Sequence, residues 1–188
     1  MNDLFAHPPV LGFAAWSGTG KTTLLTRLLP LLRERGLRIG MIKHAHHGFD
    51  VDTPGKDSYE LRKAGAEQVL VASRQRWALM VERTRNEDPR LEELLTHFDR
   101  TSLDLILVEG FKHLSFPKIE LHRAALEKPL LFTGDNSIIA VACDQPVTTG
   151  LPTLDLNDLR AIADFVIEYA NRTGRTGSTH RTQGGHHD

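Results

Sequence analysis

Residues 15–22 read Ala-Trp-Ser-Gly-Thr-Gly-Lys-Thr, and this stretch decides the fold. It follows the apolar run 10–14 and precedes the leucine-rich run 24–29, so a phosphate-binding pattern falls in the strand, loop and helix context that it requires. Glycines in the loop allow backbone conformations in which successive N–H groups turn towards phosphate oxygens. The stretch therefore predicts a nucleoside triphosphate site, and the alternative is an ordinary strand-to-helix turn with a capping threonine.

The polar residues of this loop have separate predicted roles. Lys21 is expected to reach the terminal phosphates, and Thr22 to place its hydroxyl on a magnesium ion. The N-terminus of the following helix adds its partial positive charge. The usual pattern opens with glycine where this chain has Ala15, and we expect alanine, the smallest replacement, to be tolerated.

Composition excludes several broad classes of protein. The 188 residues suit one α/β domain, and 23 basic against 24 acidic residues give a formal net charge of −1. That balance predicts neither nucleic acid nor a membrane as a partner held by bulk electrostatics. The single cysteine, Cys143, cannot form an internal disulfide, and the sequence has no apolar stretch of about 18 residues and no signal peptide. We therefore expect a cytoplasmic location.

The remaining pattern predicts a three-layer phosphate-loop NTPase fold of the α/β class. A mostly parallel sheet has helices on both faces, and an antiparallel strand pair is added to it. Residues 1–8 form an N-terminal extension, 9–170 the phosphate-loop domain and 171–188 a disordered tail. Strands are predicted near residues 10–14, 37–42, 68–73, 77–81, 103–108, 118–121, 130–132 and 138–142, and helices near 24–34, 58–64, 88–98 and 158–169.

Two details concern the predicted helices. Pro30 lies inside the first helix and predicts a kink, because proline removes one backbone donor while the apolar stripe continues through it. Asp57 and Glu60 have the spacing of a capping box at the start of the second helix.

A second element of the site is expected where the buried run 103–108 ends, at Glu109. In phosphate-loop proteins an acidic residue at the end of a buried strand holds magnesium, directly or through water. Ligands bind outside the carboxyl ends of such strands, where the 15–22 loop, the 43–57 loop and Glu109 would gather. The alternative for Glu109 is a carboxylate that faces solvent.

The 43–57 loop contains further polar residues. Asp50 and Asp52 are candidates for water-mediated magnesium contacts, with solvated carboxylates as the alternative. His44, His46 and His47 invite a metal interpretation, but a polar loop is favoured because the usual ligand spacing is missing. Outside this loop, Arg74, Arg76, Lys112 and Lys118 form either a basic face for a second phosphorylated ligand or an ordinary charged surface.

The base of the nucleotide is not identified by a motif, because the Asn-Lys-x-Asp signature of small GTPases is absent from the sequence. A carboxylate can accept two hydrogen bonds from guanine, and Asp144 follows the predicted strand 138–142 at the proper end of the sheet. An aspartate that serves only the turn 143–146 is the alternative.

Four motifs together resemble the MobB family, the molybdopterin-guanine dinucleotide biosynthesis adaptor proteins. The resemblance covers about residues 9–170, in order and at similar spacing. The chain resembles the family even at Ala15, where the usual phosphate-binding pattern has glycine. The motifs are Phe-Ala-Ala-Trp-Ser-Gly-Thr-Gly-Lys-Thr-Thr at 13–23, Ile-Lys-His-Ala-His-His at 42–47, Pro-Gly-Lys-Asp-Ser-Tyr-Glu-Leu-Arg-Lys-Ala-Gly-Ala at 54–66 and Leu-Ile-Leu-Val-Glu-Gly-Phe-Lys at 105–112.

The resemblance implies a GTP-binding homodimer with weak intrinsic GTPase activity, secondary to an adaptor role, and GTP and Mg²⁺ as cofactors. Such a protein assists the MobA-type molybdenum cofactor guanylyltransferase, which couples GMP to molybdopterin. Contact with the molybdenum-insertion protein and a molybdopterin-type ligand are also expected. Glu109 matches the family's strand-end acid. The nucleotide site corresponds to Gly18, Thr19, Gly20, Lys21, Thr22 and Thr23, with Ser17 beside them.

Two other functions stay open at this point. One is an ATP-dependent synthetase or small-molecule kinase of the dethiobiotin synthetase type, whose Val-Glu-Gly strand end is similar to residues 108–110. The other is a metallochaperone GTPase, which the histidines at 44–47 suggest. A weak GTPase is chemically reasonable, because the sequence identifies neither an arginine finger nor a water-positioning glutamine.

Overall fold

The computed structural model describes residues 5, 7–45, 48–84 and 87–178. These residues fall into two compact units. The first unit contains the chain up to residue 44 and again from residue 91, and the second contains residues 45–90.

The first unit is built on a parallel sheet of six strands, which are β1 (Val10–Ala15), β2 (Ile39–Lys43), β5 (Leu105–Glu109), β6 (Lys118–His122), β7 (Ile138–Cys143) and β8 (Thr153–Asp155). Across the sheet they lie in the order β2-β5-β1-β6-β7-β8. The central strand β1 is buried at every position, as expected for a parallel strand that is covered on both faces. Its register places Phe13 beside Glu109 of β5.

Helices cover both faces of this sheet. Helices α1 (Lys21–Glu34) and α4 (Leu159–Ser178) pack on one face with alternate strand residues such as Leu107. The short helix α3 (Leu91–Leu95) packs on the other face. The predicted three-layer arrangement is therefore confirmed. Within the described ranges, no helix is long and apolar enough to cross a membrane.

Several predicted elements differ in the structure. No strand forms at 130–132, because the buried carboxylate of Glu120 accepts the N–H groups of Leu131 and Phe132 at 2.7 and 2.9 Å and orders this segment as a loop. Strand β8 was not predicted. Helix α4 continues to Ser178, past the expected start of the disordered tail at residue 171. Helix α1 runs through Pro30 as one element, as the sequence predicted, and the kink at Pro30 stays a prediction.

The second unit contains helix α2 (Asp57–Lys63) and the hairpin of β3 (Gln68–Ala72) and β4 (Trp77–Val81). The hairpin is antiparallel and separate from the large sheet, which confirms the predicted strand pair. The predicted capping box is wrong. Lys56 is the N-cap and its side chain makes no capping hydrogen bond, while Asp57 is the first helical residue and its charge favours the helix dipole instead.

Arg62 of α2 is the polar centre of the second unit. Its guanidinium donates hydrogen bonds to Asp50 at 2.6 Å, to Asp52 at 2.6 and 3.3 Å and to Glu82 at 2.8 Å. The hydrogen bonds from Arg62 hold the pKa of Asp52 below its ordinary value of 3.8 and raise the pKa of the guanidinium itself. This cluster links the 48–56 loop to α2 and to the end of β4.

A close approach occurs in the first unit where β2 and β5 end. The backbone N–H of His44 donates to the carbonyl of Glu109 at 2.8 Å, and the His44 ring stacks on Phe111 with centroids 4.5 Å apart. Gly110 between them has a φ of +108°, and a Cβ atom built on it would lie 2.5 Å from the Cβ of His44. Only glycine satisfies both constraints.

Replacing Gly110 by alanine tests this close approach. We expect the free energy of unfolding to fall by about 2–5 kcal/mol, because left-handed strain adds to a steric clash. The control is Gly36→Ala, where φ is +88° but nothing lies within 4 Å of the added Cβ, so a loss of about 1–2 kcal/mol is expected. Equal losses in urea unfolding would contradict the role of the contact with His44.

The pKa of Asp52 predicts how the second unit responds to acid. Because the folded-state pKa lies below 3.8, the contribution of Asp52 is complete above that value and is lost as the pH falls through the folded pKa. Amide hydrogen exchange over residues 57–63, corrected for the intrinsic rate, measures the local free energy of opening. This free energy of opening should be larger in the native chain than in Asp52→Asn. The difference between the two chains should be constant above about pH 5 and shrink below about pH 4. A difference between the two chains that does not change with pH would refute this.

Candidate phosphate-binding site

The loop between β1 and α1 has the backbone of an anion-binding turn. Gly18 and Gly20 have φ values of +84° and +91°, in the region that favours glycine. Gly20 is the N-cap of α1 and provides no side-chain cap, so the first N–H groups of a 14-residue helix face the loop. A phosphate group is the kind of ligand that satisfies such N–H groups and complements the helix dipole.

Contacts within the loop hold it in this shape. The hydroxyl and the backbone N–H of Thr19 both donate to the carbonyl of Trp16, at 2.8 and 3.3 Å, and Thr19 is buried. Ala15 is the buried last residue of β1 and has no left-handed φ, so alanine fits where the usual pattern has glycine. Ser17 and Thr23 are exposed at the two ends of the loop.

The side chains at the start of α1 meet the end of β5. Thr22 Oγ1 donates to Glu109 Oε1 at 3.0 Å, and Lys21 Nζ lies 3.8 Å from the same oxygen. The structure thus brings together Lys21, Thr22 and Glu109, as the sequence predicted. The parallel pairing of β1 and β5 explains this arrangement, because it places the ends of both strands at one edge of the sheet.

Lys21, Thr22 and Glu109 fit the phosphate groups and the magnesium ion that the sequence predicts. The hydroxyl of Thr22 and the carboxylate of Glu109 are the oxygen ligands that Mg²⁺ prefers, and they already lie within hydrogen-bonding distance of each other. The ammonium group of Lys21 stands at the mouth of the loop as a compact positive charge suited to phosphate oxygens. These side chains therefore fit a triphosphate chain with a divalent cation, and the binding of either stays a prediction.

A cavity of about 350 Å³ adjoins the loop. Apolar side chains of α1 and of the segment after β8 form part of its wall, and the polar part comes from two arginines, two threonines and Asn157. A nucleoside is of the size that pockets of a few hundred Å³ accept. The lining consists of Thr19, Gly20, Thr23, Leu24, Arg27, Arg123, Leu156, Asn157 and Leu159.

Asp144 lies directly after β7, at the predicted end of the sheet. Its Oδ1 accepts the backbone N–H of Ala124 at 2.9 Å, and its Oδ2 lies 3.7 Å from Nη1 of Arg123. The carboxylate thus has protein partners at both oxygens. Its predicted contact with guanine stays a prediction.

The other predicted ligands have different surroundings. Asp50 and Asp52 belong to the second unit, where both accept hydrogen bonds from Arg62, and their magnesium role stays a prediction. His44 directly follows the last residue of β2, and its backbone N–H donates to the carbonyl of Glu109, while His46 and His47 lie outside the described residues. Among those that are described, no group of three or more His, Cys, Asp and Glu side chains is placed to hold a metal ion.

Two contacts of the loop were not predicted. Nε of Arg123 donates to the carbonyl of Thr19 at 2.9 Å, and the indole N–H of Trp16 donates to the carbonyl of Pro129 at 2.8 Å. Lys112 also lies over the Trp16 ring, 4.7 Å from its centroid. Arg123 directly follows the last residue of β6, so the strand-end rule that located Glu109 also applies to it.

The chain is similar to several known proteins. The family model described as Molybdopterin guanine dinucleotide synthesis protein B, MobB, matches residues 10–144. The Molybdopterin-guanine dinucleotide biosynthesis adapter protein of Escherichia coli K12 is 55% identical over 165 residues, which cover 87% of this chain and 94% of that protein. The protein of the same name from Haemophilus influenzae is 46% identical over 158 residues, covering 84% and 87%.

A solved structure agrees with this result. The crystal structure of molybdopterin-guanine biosynthesis protein B (mobB) is similar with a TM-score of 0.67 and 28% identity, over 85% of this chain and 99% of that chain. The match extends across both the phosphate loop and Glu109, which lie within the residues that the family model covers. The chain therefore belongs to the MobB family.

Proposed function

We propose that this chain is a GTP-binding adaptor in the synthesis of molybdopterin guanine dinucleotide. The names of the 55% and 46% identical relatives support the adaptor role. The contact of Thr22 and Lys21 with Glu109, beside the glycine-containing loop, is the observation that carries nucleotide binding. The partners in this proposal are the MobA-type guanylyltransferase, the molybdenum-insertion protein and a molybdopterin-type ligand.

Each residue of the site has a chemical task in this proposal. The N–H groups of residue 18 and of residues 20–22 donate to phosphate oxygens, and Lys21 neutralises negative charge on the terminal phosphates. Thr22 and Glu109 would hold a magnesium ion, which supplies positive charge at the phosphate chain. Both side chains are preorganised, since they already contact each other at 3.0 Å.

Guanine preference rests on the family resemblance, with support from the cavity beside the loop. Its apolar wall, formed by Leu24, Leu156 and Leu159, suits the face of a purine, and the amide of Asn157 can both donate and accept hydrogen bonds. Weak GTP hydrolysis follows chemically, because charge stabilisation by Lys21 would act without a dedicated water-positioning group. Binding then matters more than turnover.

Nucleotide titration with magnesium tests the proposed ligand. The native chain should prefer GTP to ATP, and Lys21→Ala should weaken GTP binding by about 10- to 100-fold, as expected for the loss of a charged hydrogen bond. Isothermal titration calorimetry measures both effects. The control Lys128→Ala removes an exposed lysine outside the loop and should leave the affinity within about twofold. Equal affinity for ATP, or binding indifferent to Lys21, would refute the proposal.

The hairpin of the second unit supports the homodimer that the resemblance implies. Its register pairs Leu70 with Leu79 and Ala72 with Trp77, so these side chains share one face together with Val81. Leu70, Trp77, Leu79 and Val81 are between 42% and 66% exposed. A two-stranded hairpin is marginally stable by itself, and its edges still offer unpaired backbone groups. A second copy of the chain would cover the exposed apolar face and pair with the backbone groups at the edges.

Replacing one residue of this face tests the dimer. Light scattering during gel filtration should give twice the chain mass for the native protein and a single chain mass for Leu70→Glu, because a buried unpaired carboxylate opposes association. Leu114→Glu places the same charge on an exposed leucine of the first unit and should stay dimeric. A native monomer, or a dimeric Leu70→Glu variant, would contradict this interface.

A further inference from the structure

Arg123 connects the phosphate loop to the carboxyl end of the neighbouring strands. Its Nε donates to the carbonyl of Thr19 at 2.9 Å, while Nη1 lies 3.7 Å from Oδ2 of Asp144. The other oxygen of Asp144 accepts the N–H of Ala124, the residue after Arg123, at 2.9 Å. The carboxylate therefore holds the backbone of this segment by a hydrogen bond and lies within ion-pair distance of the guanidinium.

The contact with Thr19 determines the direction of a neighbouring N–H group. The peptide between Thr19 and Gly20 is planar and trans, so its carbonyl and its N–H point in opposite directions. A donor that holds the Thr19 carbonyl on one side thus directs the N–H of Gly20 to the other side. Gly20 tolerates the resulting φ of +91°, and it is the N-cap from which the helix N-terminus begins.

We propose that Arg123 is a positioning residue for phosphate binding, which aims the Gly20 amide at the ligand by holding the Thr19 carbonyl. The ligand class is the polyphosphate chain of a nucleotide, so this inference rests on the proposed function and deepens it. Asp144 then acts through Arg123: its carboxylate orients the guanidinium and needs no contact with the base.

The shape of the guanidinium makes the proposal specific. Arginine is planar and can donate to the Thr19 carbonyl and face Asp144 with different nitrogens at once, whereas lysine presents a single point charge. Arg27 is a matched control, because it lines the same cavity and carries the same charge but is exposed on the second turn of α1. A general electrostatic effect on an anion would appear in both positions.

The experiment compares Arg123→Gln, Arg123→Lys and Arg27→Gln in the full chain. Calorimetry with inorganic pyrophosphate, which has no base, and with GTP and magnesium measures affinity. The NMR amide signal of Gly20 in the ligand-free protein measures orientation. Arg123→Gln should lose about 10- to 100-fold affinity for pyrophosphate and for GTP alike, and Arg123→Lys should recover only part of it. Arg27→Gln should lose less than about fivefold affinity for pyrophosphate, which carries no nucleoside to fill the cavity that Arg27 lines.

The Gly20 signal should shift in both Arg123 variants and stay unchanged in Arg27→Gln. Equal losses of pyrophosphate affinity in Arg123→Gln and Arg27→Gln, or full recovery by Arg123→Lys, would overturn the inference. An unmoved Gly20 signal, or a native chain that does not bind pyrophosphate, would also overturn it. If Arg123→Gln unfolds, Arg123→Lys decides the same question. A native chain that binds pyrophosphate as expected but ATP as tightly as GTP would refute the proposed guanine preference and leave the role of Arg123 supported.

Discussion

The hydrogen bond between Thr22 and Glu109 is the contact on which the candidate site depends. It joins the first turn of α1 to the end of β5, and it exists because β1 and β5 are neighbouring parallel strands with Phe13 beside Glu109. Any change in that register would move the carboxylate away from the loop, since a shift of one residue also turns side chains to the opposite face of the sheet. Burial of β1 on both faces fixes the register and therefore the site.

Buried charged residues on β6 order a segment that contacts the phosphate loop. Lys118 and Glu120 are both fully buried, and each has partners: Lys118 Nζ lies 2.9 Å from Asp135, and Glu120 accepts two backbone N–H groups. Burial of a charge is tolerated only with such partners. These contacts order the segment that contains Pro129, whose carbonyl accepts the indole N–H of Trp16. Two hydrogen bonds thus hold the phosphate loop: the one from Trp16 to the carbonyl of Pro129, and the one from Arg123 to the carbonyl of Thr19.

Features with a strict local cause could be predicted from the sequence, and features that depend on distant partners could not. The loop was predictable because its backbone needs glycine at 18 and 20, and Glu109 because a buried apolar run ends there. The predicted strand at 130–132 was wrong, because the apolar pattern of these residues does not reveal that their N–H groups donate to the carboxylate of Glu120. Arg62 was missed for the same reason: the acidic residues around it resembled cation ligands, and only the fold shows their partner. Lys118, expected either on a basic face for a second phosphorylated ligand or on an ordinary charged surface, is fully buried beside Asp135.

A measurement at the contact between Thr22 and Glu109 tests the account most directly. Electron paramagnetic resonance can follow Mn²⁺, a magnesium substitute, as it binds to the protein with GTP. If Thr22 and Glu109 hold the cation, Thr22→Val weakens Mn²⁺ binding several-fold, whereas Thr26→Val, which changes an exposed threonine one turn further along α1, leaves it unchanged. Equal Mn²⁺ affinity in the native chain and in Thr22→Val would contradict the claim that this contact marks the cation site.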